Sequence, residues 1–135
     1  MKNDESDSRP IILVVDDEPD FLDAVRLFLL SNGDEDYEIL TTNRPSRVAE
    51  ILATQASHIR MILLDIHMPE HNGLEVLRWV RAHPQLESIP ILMISGDQTG
   101  RRRVAEAADP NIDFLLKPFD PEVLYYRIKR SGEFV

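Results

Sequence analysis

Cysteine is absent from the 135 residues, which excludes disulfides and thiolate metal sites, and the four histidines are scattered without ligand-like spacing, so structural zinc is not expected. Any metal should be hard and bound through oxygen. No apolar run reaches the roughly 18 to 20 residues of a membrane-spanning helix, and the opening MKNDESDSRP is charged where a signal peptide would be apolar. A cytoplasmic location with no membrane partner is the expectation. Positive charge is also scarce: 15 basic residues face 24 acidic ones, for a net charge of −9, which opposes non-specific binding to a phosphate backbone. Direct contact with nucleic acid is therefore not expected, and any DNA would be touched by another chain or domain.

What is present fits one compact domain. The chain is 43% hydrophobic and 29% charged, enough apolar residue for a single core. Residues 1 to 9 are polar and acidic with no apolar periodicity and read as a disordered leader, leaving 10 to 135 as the domain. Neither an internal repeat nor a linker interrupts it.

Along that domain two periodicities alternate. Ile11 to Val15 is an almost wholly apolar, mostly β-branched run, the pattern of a strand buried on both faces. Asp20 to Asn32 then places Phe21, Leu22, Val25, Phe28 and Leu29 at helical spacing, with Pro19 near its start and Gly33 just past its end. The same logic predicts strands at Tyr37 to Thr42, Met61 to Ile66, Ile91 to Ile94 and Phe114 to Leu116. Helices are predicted at Pro45 to Thr54, after Gly73, at Arg101 to Ala108 and at Pro121 to Arg130, the last with Asp120 as its N-cap. Five strands in strict alternation with five helices imply a parallel sheet with right-handed crossovers and helices on both faces.

Ligands of such sheets bind beyond the carboxyl ends of the strands. Those ends carry Asp16 and Asp17 after the first strand, Asp65 near the end of the third, Ser95 after the fourth and Lys117 after the fifth. Three ionised carboxylates a few ångströms apart repel by very roughly 4 kcal/mol per pair at 4 Å and an effective dielectric of about 20. A hard divalent cation relieves that repulsion, and Mg²⁺ suits one or two protein carboxylates plus a phosphoryl oxygen. Lys117 offers a compact positive charge and Ser95 a hydroxyl donor for phosphoryl oxygens. An aspartate can itself be a nucleophile and form an acyl phosphate. Each residue alone has a plainer reading: the Asp pair as a helix cap, Lys117-Pro118 as a turn, Ser95-Gly96-Asp97 as a loop, Phe114 as core. Asp65 resists one, since a carboxylate closing an apolar run is costly to bury unless paired or metal-bound. Their joint placement at successive strand ends makes chance assembly a poor explanation.

These motifs together resemble the response-regulator receiver family, over about Ile11 to Arg130. Val14-Val15-Asp16-Asp17-Glu18-Pro19 is similar to the family's acidic motif. Leu64-Asp65-Ile66-His67-Met68-Pro69, with Gly73 eight residues after Asp65, is similar to its phosphoacceptor motif. Ser95 follows Asp65 by 30 residues, and Lys117-Pro118-Phe119 begins 22 residues later. The resemblance implies a flavodoxin-like, doubly wound (βα)5 sandwich whose sheet runs 2-1-3-4-5. It implies phosphorylation of Asp65, with Ser95 and Lys117 binding the phosphoryl oxygens. Mg²⁺ would be held by Asp17 and Asp65, by Asp16 largely through water, and by the backbone carbonyl of His67. Ser95 and Phe114 would form the switch, remodelling the face of the fourth helix, fifth strand and fifth helix.

The implied partners are a histidine kinase or phosphotransfer protein upstream and an effector or output domain downstream. The last helix is also faintly similar to that of receivers forming homodimers through the same face, although Val123 and Ile112 stand where those relatives tend to carry acids. Gly96 and Pro110-Asn111-Ile112 depart from the commonest loop residues. His67 and Asp97 occupy positions that tune phosphate lifetime in the family, with a solvent-facing rim as the plainer reading of His67. Arg101 to Arg103 read either as a partner surface or as a solvated helix face. Two other functions compete. An aspartyl-phosphate phosphatase would carry a D-x-D motif on the first strand, which Asp16-Asp17-Glu18 lacks; an unphosphorylated docking module would have lost an acid or Lys117. With no output domain after Arg130, the chain reads as a stand-alone receiver or the receiver portion of a longer protein. A signalling domain rather than a turnover enzyme is the expectation.

Overall fold

A computed structural model describes residues 9–31, 37–68, 73–96 and 98–132. Nearly all of the expected leader, and Asn32, Gly33, Pro69, His71 and Asp97, lie outside the described residues. Strands and helices alternate as β1 Ile11–Val15, α1 Pro19–Ser31, β2 Glu38–Thr42, α2 Pro45–Gln55, β3 Ile59–Asp65, α3 Gly73–Ala82, β4 Ile91–Ser95, α4 Thr99–Ala107, β5 Ile112–Leu116 and α5 Pro121–Gly132. The strands form one parallel sheet in the order β2-β1-β3-β4-β5, the expected flavodoxin-like arrangement. No helix among the described residues is long and apolar enough to cross a membrane.

The near-continuous apolar runs exist because both faces of the sheet are covered. Alternate residues of β1 divide between two cores: Ile11, Leu13 and Val15 pack beneath α2 and α3 with Val48, Ile51, Val76 and Val80, whereas Ile12 and Val14 pack beneath α1 and α5 with Leu22, Val25, Leu124 and Ile128. The helices supply these residues at three- and four-residue spacing, one apolar stripe each. α4 contributes least; of its described side chains Val104 is the one apolar group buried.

Two strands start earlier than their apolar runs suggest. β3 begins at Ile59 rather than Met61, because the exposed Arg60 stands in a register irregularity: Ile11 pairs with Ile59, but Ile12 pairs with Met61. The extra residue flips the alternation, so that Ile59, Ile62 and Leu64 face one core and Met61 and Leu63 the other. β5 begins at Ile112 rather than Phe114, and on this edge strand Asp113 turns its carboxylate to Arg127 at 2.8 Å. A charge in an edge or bulged position interrupts a hydrophobic run without interrupting the strand.

Candidate functional site

Four strands deliver their last or next residues to one edge of the sheet. Asp16 follows β1, Asp65 ends β3, Ser95 ends β4 and Lys117 follows β5. Ladder bonds continue past the strands and fix these residues: Asp16 N donates to the carbonyl of Thr42 at 3.1 Å, Ile66 N to Ile94 at 2.9 Å, and Lys117 N to Ser95 at 2.7 Å. All the polar residues expected at the strand ends are thus brought together. Asp16 and Ser95 are fully buried, Asp65 is 5% exposed and Asp17 is half-buried. Oxygens of Asp16, Asp17 and Asp65 lie within 4.8 Å of one another, a group that could hold a metal ion.

Hydrogen bonding inside this cluster is asymmetric. Lys117 Nζ donates to Asp16 Oδ2 at 2.8 Å and to Glu18 Oε1 at 2.9 Å. The other oxygen of Asp16 accepts from the backbone N–H of Glu18 at 2.9 Å. Asp65 Oδ1 accepts the backbone N–H of His67 at 3.1 Å, while the His67 side chain is exposed, as a rim residue would be. Burial, reinforced by the charge of Asp16, pushes the Asp65 carboxyl up to about 7 from 3.8. Asp16 is raised too, burial outweighing its hydrogen bond from Lys117. Burial of the Lys117 ammonium works to lower its pKa, but the hydrogen bonds to Asp16 and Glu18 prevail and raise it. Negative charge therefore exceeds what the lysine balances, and an added cation or an anion-neutralising group would be welcome beside Asp65.

The backbone around Asp65 is equally tight. A Cβ on Gly73 would run into the carbonyl oxygen of Asp65 and come within 2.8 Å of Ile66 Cα, so α3 starts against the end of β3 only because residue 73 has no side chain. Gly96, by contrast, has open space where a Cβ would go, so the departure from a small side chain is not sterically required. Phe114 is buried in the core beneath α2 and α3, with the Arg101 guanidinium 5.4 Å from its ring centroid; Arg101, Arg102 and Arg103 are all exposed. His58 and His83 are half-buried and lie away from the cluster.

Two neighbours of Lys117 escaped the reading of the sequence. Glu18 was legible only as part of an acidic motif, and Phe21 only as one apolar residue of α1; yet Glu18 pairs with Lys117, and the lysine Nζ lies 4.2 Å from the Phe21 ring centroid. Their positions in the loop and first turn after β1 place them over the same edge, a signal available only once the strand order is known. A cavity of about 930 Å³ lies at the opposite edge of the sheet, where Arg60, Pro90, Asn111 and Arg130 are among its lining, and none of the acidic cluster reaches it.

With this geometry established, comparison with known proteins gives the class. The chain matches the response regulator receiver domain over residues 12–129, and it belongs to that family of two-component signalling domains. It is 29% identical over 119 residues to a chemotaxis protein CheY homolog of Campylobacter jejuni, covering 87% of this chain and 88% of the relative. It is 28% identical over 118 residues to the transcriptional regulatory protein GltR of Pseudomonas aeruginosa, covering 87% of this chain but 47% of that protein, so it spans about half of that relative's length. Among solved structures it is similar to the chemotaxis response regulator CheY4 of Vibrio cholerae, with a TM-score of 0.74, 29% identity, and coverage of 91% of this chain and 98% of the other.

Proposed function

We propose that the chain is a phosphorylation-controlled switch of a two-component phosphorelay, with Asp65 as phosphoacceptor. The observation that carries this reading is the charge imbalance at the strand ends: among the described residues Asp16, Asp17 and Asp65 cluster there, Lys117 bonds Asp16 alone of the three, and Asp65 is pushed up to about 7. In the transfer, an Asp65 oxygen forms a bond to phosphorus as the P–N bond of a donor phosphohistidine breaks, the electron pair staying as a lone pair on that imidazole nitrogen while the ring's other nitrogen keeps its proton, so that neutral imidazole leaves. Lys117 and Ser95 bind the phosphoryl oxygens and hold them in line. Hydrolysis returns carboxylate and inorganic phosphate, resetting the domain.

The donor set suits Mg²⁺, being hard carboxylate oxygens in a cysteine-free chain. Asp17, Asp65 and the backbone carbonyl of His67 would hold it directly and Asp16 largely through water. When bound, the ion supplies positive charge beside the phosphoryl oxygens. Ser95 and Phe114 act as the switch: movement of the hydroxyl towards the phosphoryl group draws on the ring behind it and alters the face made by α4, β5 and α5. The partners are a histidine kinase or phosphotransfer protein and a downstream effector or output domain. A homodimer through that face is the weaker arrangement, because Val123 and Ile112 stand where receivers that dimerise through it tend to carry acids.

Intact mass after incubation with Mg²⁺ and a small acyl-phosphate donor tests this. One added phosphoryl group is expected, absent in Asp65→Asn and after chelation. A folded protein that gains nothing beside a working control receiver would instead be a constitutive docking module.

A further inference from the structure

Lys117 is held on three sides, and one of its partners is not a hydrogen-bond acceptor in the ordinary sense. Its ammonium donates to Asp16 at 2.8 Å and to Glu18 at 2.9 Å, and it lies 4.2 Å from the centroid of the Phe21 ring. That ring is braced in turn by Phe119, edge-on at 5.9 Å between centroids and 87° between planes. Phe119 follows Lys117 by two residues, while Phe21 stands in the first turn of α1. The two rings therefore clasp the stem of the loop after β5 against the helix after β1. Both rings are half-buried and pack on the core beneath α1 and α5.

A ring face attracts an ammonium through its quadrupole and does not need to occupy an N–H to do so. A lysine ammonium has three N–H donors. With Asp16 and Glu18 taking two, the third is left for an incoming oxygen. A further carboxylate in place of the ring would hold the charge equally well but would compete for that donor and add repulsion to an edge already rich in acid. A leucine would fill much of the same space and offer no ring face to the ammonium.

We propose that Phe21 is a positioning residue for phosphoryl transfer: its ring face keeps the Lys117 ammonium over the acidic edge while leaving an N–H donor for a phosphoryl oxygen. The proposal rests on the reading of Asp65 as phosphoacceptor. Phe21 touches neither donor nor acceptor and acts through Lys117.

Phe21→Leu and Phe21→Tyr separate a ring-face role from mere filling of the core. The readouts are the second-order rate constant for phosphoryl gain from a small acyl-phosphate donor with Mg²⁺, followed by intact mass, and the NMR shift of the Lys117 ε-methylene protons in the full chain. In the wild type those protons should be shifted upfield of their positions in the unfolded chain by the ring current. Phe21→Leu should lose that shift and fall about fivefold in the rate constant, whereas Phe21→Tyr should retain the shift and stay within about twofold. A leucine variant that is phosphorylated as fast as the wild type overturns the proposal, as do leucine and tyrosine variants slowed alike or ε-protons at their unfolded positions in the wild type. A wild-type chain that gains no mass overturns the phosphoacceptor reading as well, a result distinct from a phosphorylated wild type with an unaffected leucine variant.

Discussion

Two ion pairs of nearly equal length sit at opposite edges of the sheet. Lys117 meets Asp16 at 2.8 Å beyond the carboxyl ends of the strands; Arg81, in the last turn of α3, meets Asp109 at 2.7 Å before β5 begins. The Arg81 side chain is 16% exposed and that of Lys117 18%, so neither distance nor the exposure of the cation tells them apart. Charge balance does. Arg81 also donates to the carbonyl of Leu86 at 2.7 Å, and Asp109 accepts the backbone N–H of Asn111 at 2.9 Å, so one cation and one anion each find their remaining partners in the local backbone. At the other edge a single ammonium is bonded to two carboxylates, with Asp65 buried nearby and raised to about 7. The first arrangement ties loops together. The second holds unbalanced charge in readiness, and perturbed groups of that kind mark candidate functional sites.

The sharpest way to break the contrast is to neutralise Asp65. Asp65→Asn should abolish phosphoryl uptake outright while leaving the fold intact, and it should change how stability depends on pH. Between pH 3.8 and about 7 the folded metal-free chain keeps a proton on Asp65 that the unfolded chain has released. The stability tied to that proton is fully present below the lower value and is lost as pH rises through the upper one. Urea unfolding at pH 5 and pH 8 without divalent ions should therefore show a decline in the wild type, on the order of 1.4 kcal/mol for each pH unit between 5 and the folded value of about 7. Most of that decline should vanish in Asp65→Asn. An equal decline in both chains would place the strain elsewhere.

Geometry can be disturbed at the same place without touching charge. In Gly73→Ala the new methyl meets the Asp65 carbonyl, and neither strand end can retreat freely, since Ile66 N is bonded to Ile94 and the Ile66 carbonyl accepts from Gly73 N at 2.7 Å. A loss of about 2 to 3 kcal/mol in unfolding free energy is expected from this overpacking. Because Asp65 is carried on the displaced backbone, phosphoryl uptake should slow by roughly tenfold or more. Fluorescence-monitored urea unfolding, using Trp79, and intact mass give the two numbers. Slowed uptake without loss of stability would mean the backbone yields more easily than its hydrogen bonds suggest.

Much of this was legible in the sequence, for reasons that differ between the two edges. The strand-end residues could be named because a buried parallel strand is an apolar run, so the polar residue that ends it stands out; Asp65 after Met61 to Leu64 and Ser95 after Ile91 to Ile94 are such cases. Strand starts were less legible, since Arg60 and Asp113 look like loop residues until the bulge and the edge position are known. The Arg81–Asp109 pair was invisible: its members are 28 residues apart, each unremarkable on its own, and no motif predicts their meeting. The same holds for Phe21, whose spacing in α1 speaks of the core and says nothing of a cation brought from β5 at the other end of the chain. Local pattern reveals which groups reach the edge; only topology reveals who faces whom.

Adding Mg²⁺ should separate the edges thermodynamically. A ligand at one hundred times its dissociation constant stabilises the state that binds it by about 2.7 kcal/mol. Thermal melts at pH 8 should rise on titration with Mg²⁺ in the wild type and in Arg81→Met, but not in Asp65→Asn, where the cluster has lost an oxygen donor of its charge. A rise of equal size in Asp65→Asn would move the ion to some other group of acids.

The smallest effect is expected from Arg81→Met, and it tests the opposite edge directly. Methionine keeps the unbranched stem that packs at the end of α3 but removes the guanidinium that holds Asp109 and Leu86. Asp109 then loses its cation while keeping the backbone N–H of Asn111, and with a fifth of its side chain exposed it can recruit water. Those compensations hold the cost to about 1 to 2 kcal/mol, below that of breaking a fully buried pair. Phosphoryl uptake at Asp65 should stay within about twofold of wild type, because the substitution leaves the charge and geometry of the acidic edge as they were. Stability and uptake falling together by larger amounts would show that the two edges are coupled through α3, whose first residue abuts Asp65 and whose last turn carries Arg81.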